Sequence, residues 1–149
     1  MHDYYSSDIL LANMKPTLAP YLNFSGNTRE AMEFYTSVLG GQLEMQTFGE
    51  SGMHASEENK NKIMHATLKN DALSFMASDG NAEHPVHMGN NIHMSIMGTD
   101  EATLTKYFNG LAEGGNVDMP LAKQFWGDTF GMFTDKFGVH WMVNISAQK

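Results

Sequence analysis

The chain of 149 residues contains no cysteine. Disulfide bonds, thiol nucleophiles and zinc sites built on thiolates are therefore excluded. Basic residues are also scarce, since nine Lys and Arg stand against 17 Asp and Glu and the formal net charge is −8. Nucleic-acid binding depends on clustered Lys and Arg that neutralise phosphates, so we expect no nucleic-acid partner.

Long apolar segments are absent as well. No run of about 18 apolar residues occurs, so we expect no membrane span. The opening residues, Met-His-Asp-Tyr-Tyr-Ser-Ser, lack the basic region and apolar stretch of a secretory signal. These absences predict a cytoplasmic protein. Residues 1–15 show no periodicity, and we interpret them as a peripheral leader or extension before a single domain at 16–149.

What the chain does contain is an internal repeat. Asn27 and Asp100, about 73 residues apart, each precede a predicted helix, and a pair of glycines (40–41 and 114–115) ends each helix. Apolar residues recur in both helices at i, i+3, i+4 and i+7, which is the spacing of a face that packs on a core. Asn27 is the predicted N-cap of the first helix, with Glu30 at the spacing of a capping box.

Alternating segments predict four strands in each half. We expect them within 16–25 and at 42–48, 62–68 and 72–78, then at 91–97, 116–121, 130–134 and 139–145. Each half is thus a strand, a helix and three strands, and the two modules lie at about 17–79 and 90–147. The predicted fold class is α+β, with a mixed or antiparallel sheet and the helices on one of its faces.

The alternation separates an apolar face of the strands from a mixed polar face. The mixed face carries the residues that we predict to line a ligand pocket: Tyr21, Asn23, His65, Met76, His93, Ser95, His140, Met142 and Asn144. A plain solvated face is the alternative, although it more often carries Lys, Glu and Thr. Trp141 falls on the apolar face, and we assign it to the core.

Three further features complete the set of candidates. Phe125 and Trp126 form either an aromatic wall over the pocket or a packing contact in the core or a dimer. His84 and His87 have a ligand-like spacing, but no third ligand is near them in sequence, so we expect an exposed loop. Asp135 is expected to shape the turn before Phe137 and Gly138.

Two stretches of the chain match a known family. The first runs from Pro20 to Asn27 and continues through Phe34-Tyr35 to Gly40-Gly41. The second comprises Phe125-Trp126-Gly127, Phe130-Gly131 and Asp135-Lys136-Phe137-Gly138-Val139-His140-Trp141. Both resemble the PhnB-like proteins of the vicinal oxygen chelate superfamily, which includes glyoxalases, bleomycin-resistance proteins and extradiol dioxygenases. The resemblance covers about 16–146. It implies two pseudo-symmetric βαβββ modules that form a cupped mixed sheet, with the helices on its outer face, in a homodimer.

The resemblance also implies where a divalent metal would be held. The superfamily's enzymes use His or Glu on the first and last strand of each module. These places fall near Tyr21 or Pro20, Met76 or Phe75, His93, and Met142. Only His93 matches. An imidazole, a phenol and two thioethers are a poor donor set for Zn, Ni, Mn or Fe. We therefore predict no cofactor and a metal-independent small-molecule-binding protein.

A metal-dependent lyase, isomerase or dioxygenase is the alternative function. It requires His93, His65 and His140 to converge on one ion. Face parity alone does not establish that convergence, and whether the chain is an enzyme stays open.

Overall fold

The computed structural model describes residues 15–52, 55–80 and 83–147. The predicted leader therefore lies outside the described residues, apart from Lys15. Neither of the helices in the described part has the length and apolar character needed to cross a bilayer.

Strands and helices follow the predicted order. Module one consists of β1 (Tyr21–Phe24), α1 (Thr28–Leu39), β2 (Gln42–Thr47), β3 (Ile63–Lys69) and β4 (Ser74–Asp79). Module two consists of β5 (Met94–Gly98), α2 (Glu101–Ala112), β6 (Asn116–Lys123), β7 (Thr129–Thr134) and β8 (His140–Ile145). The α+β class and the two pseudo-symmetric βαβββ modules are confirmed.

Each module forms its own four-stranded mixed sheet. Sheet one has the order β1-β4-β3-β2, and sheet two has the order β5-β8-β7-β6. The first strand of each module is parallel to the last one, and the remaining pairs are antiparallel. Two parallel strands must be joined by a connection that crosses over the sheet, and in each module this connection starts with the helix. β1 and β5 stand at the ends of these strand orders, so they are edge strands of the single chain.

The helix-facing sides of the two sheets share one core. The ring centroids of Phe75 in β4 and Trp141 in β8 are 6.2 Å apart, and Tyr35 of α1 lies 5.8 Å and 5.5 Å from them. All three side chains are buried, which confirms the assignment of Trp141 to the core. Successive residues of a strand point to opposite sides. The adjacent residues Met76 and Met142 therefore point away from this core and away from each other.

Helix α1 begins without the predicted capping box. Asn27 makes no side-chain cap hydrogen bond. Instead, Oδ1 of the buried Asp79 in β4 accepts from the backbone N–H groups of Gly26 and Thr28, both at 3.0 Å. The prediction was wrong because a carboxylate distant in sequence satisfies the N-terminus of this helix. α2 is capped locally by Asp100, whose pKa is lowered by hydrogen bonds from the side chain and backbone of Thr103.

Asp135 joins the two modules as well as shaping its own turn. Its Oδ1 accepts from the backbone N–H groups of Phe137 and Val139, at 2.8 Å and 3.1 Å. Its Oδ2 accepts from the Tyr35 hydroxyl at 2.6 Å and from Nε1 of Trp141 at 2.8 Å. Burial, and then the charge and hydrogen bond of Asp135, raise the pKa of Tyr35, so this hydroxyl stays a donor.

Candidate functional site

The predicted site residues lie on two separate surfaces. We call the side of each sheet that faces away from its helix the outward face. The outward face of sheet one carries Tyr21, Asn23, His65 and Met76, and that of sheet two carries Ser95, His140, Met142 and Asn144, with His93 just before β5. Because the helix-facing sides share the core, the two outward faces point in opposite directions. One chain therefore does not bring His65 together with His93 and His140.

On the outward face of sheet one, His65 is held from both sides. Its Nδ1 lies 3.1 Å from the Tyr21 hydroxyl, and its Nε2 lies 3.1 Å from Oγ1 of Thr67. The rings of Tyr21 and His65 are also in contact, with centroids 5.7 Å apart. Both ring nitrogens thus have protein partners, and the hydroxyl of the half-exposed Tyr21 stands at the surface.

A cavity of about 540 Å³ opens where β1 and β4 end. The side chains around it include those of Asn23, Phe48, Met64, Ser78, His84 and His87. His84 and His87 are exposed, as predicted, yet they border this cavity rather than standing apart from the site. Ser78 borders the cavity but was not among the predicted pocket residues. The alternation of β4 places it on the same strand face as Met76, so the sequence pattern could have identified it.

On the outward face of sheet two, a chain of hydrogen bonds runs from Asp118 to the linker between the modules. The Thr134 hydroxyl donates to Oδ2 of Asp118 at 2.8 Å. The hydroxyl also lies 2.9 Å from Nδ1 of His140, whose Nε2 lies 3.1 Å from the Gly89 carbonyl oxygen. A hydroxyl has one hydrogen, and a carbonyl only accepts. Nε2 of His140 therefore donates to Gly89 and Nδ1 faces the Thr134 hydroxyl, so both ring nitrogens have partners within the protein.

His93 differs from the other two histidines. Its ring is half-buried and lies beside that of His140, with centroids 5.5 Å apart. Among the described residues it makes no hydrogen bond. Its nitrogens are therefore available to a ligand, as a donor and an acceptor in the neutral ring.

Strand register shows that equivalent rows on the two outward faces differ in chemistry. The row in sheet one is Tyr21–Met76–Thr67–Glu44, and the corresponding row in sheet two is Ser95–Met142–Met132–Met119. Met142 is thus the counterpart of Met76, and Ser95 is the counterpart of Tyr21. The first row is polar. The second presents flexible, polarizable thioethers.

Phe125 and Trp126 form the exposed tip of the turn between β6 and β7. Phe125 is 97% exposed and Trp126 is 50% exposed. Their rings contact each other at 5.0 Å, and Trp126 contacts Phe130 of β7 at 6.1 Å. Phe125 therefore does not pack in the core of the chain, and a pocket wall or a dimer contact remain as its roles.

The donor set of these faces does not fit a divalent metal. At the strand positions where the resemblance implies ligands, the structure has a phenol, a hydroxyl and thioethers, with His93 beside them. Within the described residues, no group of three or more His, Asp or Glu side chains is arranged to hold an ion. Zinc, manganese, nickel and iron prefer nitrogen and harder oxygen ligands, of which a catalytic site needs about three.

Comparison with known proteins gives a consistent set of relatives. A model of the glyoxalase/bleomycin resistance protein/dioxygenase superfamily matches residues 17–143. Protein YjdN of Escherichia coli (strain K12) is 31% identical over 144 residues, which cover 89% of this chain and 97% of YjdN.

Two solved structures extend the comparison. The crystal structure of PA1353 from Pseudomonas aeruginosa is 44% identical, covers 90% of this chain and all of its own (100%), and has a TM-score of 0.82. A PhnB protein from Bacillus cereus is 27% identical, with 88% and 100% coverage and a TM-score of 0.69.

Proposed function

The chain belongs to the glyoxalase/bleomycin resistance protein/dioxygenase superfamily, and from that membership we propose that it binds a small molecule without a divalent metal. The proposal rests on one contrast. The two-module fold is intact, whereas both ring nitrogens of His65 and of His140 already have partners within the protein. The outward faces offer hydrogen-bonding and apolar groups, which recognise organic molecules, in place of metal ligands.

The binding site is completed by a second copy of the chain. The outward faces of one chain point apart, so a cup between two modules requires the sheet-one face of one chain to meet the sheet-two face of another. A twofold dimer arranged in this way has two equivalent cups. Within the single chain, β1 and β5 are edge strands and Phe125 is exposed. Surfaces of this kind are suited to contact with a second chain. This supports the homodimer that the resemblance implies.

The ligand of such a cup is a partly apolar molecule. One wall carries Tyr21, Asn23 and Ser78, which hydrogen-bond a polar part of the ligand. The other wall carries Met132 and Met142, which pack against an apolar part, and His93 at its edge is ready to donate or accept. Met side chains adapt to irregular apolar shapes because they are unbranched and flexible.

The metal-dependent alternative has less support. It needs His65 of one chain to meet His93 and His140 of another, since one chain keeps them apart. It also needs His65 and His140 to give up hydrogen bonds that they already make. No step through a metal follows from this donor set.

A thermal-shift screen of small organic molecules in chelator-treated buffer tests the proposal. A ligand at a hundred times its Kd stabilises the folded state by about 2.7 kcal/mol, which raises Tm by roughly 5–10 °C for a domain of this size. Asn23→Ala and Met142→Ala, one on each wall, should each reduce that rise. Lys106→Ala, on the exposed side of α2, is the control that should not.

Light scattering on the same protein should give about 33 kDa, twice the chain mass of 16.6 kDa. A monomer, or a Tm rise that appears only after divalent metal is added, would contradict the proposal.

A further inference from the structure

Three methionines occupy one row of paired positions across sheet two. Met142 of β8 is opposite Met132 of β7, and Met132 is opposite Met119 of β6. Directly paired residues of regular antiparallel strands share a face, with Cβ atoms about 4.5–5.5 Å apart, and the pair Met132–Met142 meets this condition. The register of β6 shifts on both sides of Met119, so the pair Met119–Met132 lies between two irregularities. The row is accessible, since Met132 and Met142 are half-buried and Met119 is 38% exposed.

We propose that this methionine row binds a soft monovalent metal ion, Cu(I), through its three thioether sulfurs. Each side chain has three rotatable bonds beyond its Cα, so sulfurs on adjacent strands reach a common point between them. Thioethers select Cu(I) over the harder ions that prefer nitrogen and oxygen ligands. Met142, one of the thioethers at the positions where the resemblance implies a divalent metal, is thus a donor that a soft ion prefers. The net charge of −8 also attracts cations to the protein.

The duplication of the chain supplies an internal comparison. The corresponding row of sheet one contains a single thioether, Met76, between Tyr21 and Thr67. A lone thioether is a weak ligand, so the site belongs to module two. It is formed within one chain and needs neither the second copy nor the organic ligand proposed above.

Titration with Ag(I), which matches Cu(I) in softness and is stable in air, tests the site on the full-length protein. Labelling the methionine methyl groups with ¹³C lets NMR follow each side chain separately. We expect one Ag(I) per chain, with the methyl resonances of Met119, Met132 and Met142 shifting together. Anaerobic Cu(I), in competition with bicinchoninate, should bind with the same stoichiometry.

Substitution by leucine separates sulfur coordination from apolar packing, because leucine keeps the volume and apolar character of methionine. Met132→Leu should lower the affinity for Ag(I) at least about tenfold, since it removes the central donor. Met142→Leu provides a second variant if Met132→Leu does not fold. Met97→Leu is the matched control: Met97 is 72% exposed on the same face but lies opposite Asn144, so the affinity should change less than about twofold.

Several results would overturn the inference. These are the absence of Ag(I)-dependent methyl shifts, equal shifts at Met88 and Met97, or an affinity that Met132→Leu and Met142→Leu leave unchanged. The inference and the proposed function fail separately. A ligand from the thermal-shift screen with no Ag(I) or Cu(I) binding would remove only the former, and metal binding by a chain without organic ligands would remove only the latter.

Discussion

The hydroxyl of Tyr35 crosses the boundary between the modules and donates to Asp135 over 2.6 Å inside the core. Tyr35→Phe removes this donor and leaves Oδ2 of a buried carboxylate with Trp141 as its remaining hydrogen-bond partner. We expect the free energy of unfolding to fall by about 1–3 kcal/mol in chemical denaturation, since a charged acceptor loses a bond without regaining water.

Tyr107→Phe is the control for this substitution. Tyr107 is half-buried on α2 and makes no hydrogen bond within the described part of the chain. Removing the Tyr107 hydroxyl should change the free energy of unfolding by less than about 0.5 kcal/mol. Equal losses in the two variants would contradict the role of the Tyr35–Asp135 bond.

The same pair predicts how stability changes at high pH. The pKa of Tyr35 is raised in the folded protein above its ordinary value of 10.0. The unfolded chain therefore loses this proton first, so the contribution of Tyr35 is present below pH 10 and falls by about 1.4 kcal/mol per pH unit above it. The difference in unfolding free energy between the wild type and Tyr35→Phe should shrink above about pH 10. A difference that stays constant to about pH 11 would contradict this.

Single residues also show what the sequence could and could not predict. Strand parity correctly separated Trp141, which is buried, from His140 and Met142, which are not. It could not show which of His65, His93 and His140 already have hydrogen-bond partners within the protein. His140 is held by Thr134 of the neighbouring strand and by the Gly89 carbonyl, and Thr134 donates in turn to Asp118. Hydrogen bonds between strands have no signature in local spacing.

The two helices meet where Gly110 of α2 faces Val38 of α1. A Cβ atom added at Gly110 would lie 2.8 Å from Cγ1 of Val38, a stiff β-branched side chain. Gly110→Ala should lower the unfolding free energy by about 1–3 kcal/mol through overpacking. This loss is expected even though alanine is more favourable than glycine in a helix by about 1 kcal/mol.

Val38→Ala tests this explanation, because it removes the methyl groups that clash. In the double variant part of the loss should be recovered, which gives a coupling of at least about 0.5 kcal/mol in a double-mutant cycle. Strictly additive effects would show that the two side chains do not meet.

Element bounds were largely predictable, because they depend on local chemistry. The glycine pair at 40–41 ends α1 as expected, with φ of 72° and 100°, where other residues are strained. The start of β5 was predicted three residues early, at Asn91, so His93 precedes the strand rather than lying in it. The N-terminus of α1 was missed for another reason: its cap comes from Asp79, whose approach depends on tertiary packing.

For the whole molecule, the sequence predicted the duplication but not the relation between the two sheets. Alternation decides which side chains share a face of one strand. The alternation pattern is the same whether the helix-facing sides of two sheets face each other or face apart. The contact of Phe75 with Trp141 settles that relation for this chain, and it places the two sets of candidate residues on opposite faces.

Metal content is the most direct test of whether this fold has been kept without its divalent ion. The protein would be incubated with excess Zn²⁺, Mn²⁺, Ni²⁺ or Fe²⁺, freed of unbound ion by gel filtration and measured by plasma mass spectrometry. Because the donor set suits none of these ions, the expected content is below about 0.1 ion per chain, in both the wild type and His93→Ala. One tightly held ion per chain in the wild type, lost in His93→Ala, would contradict metal-independent binding.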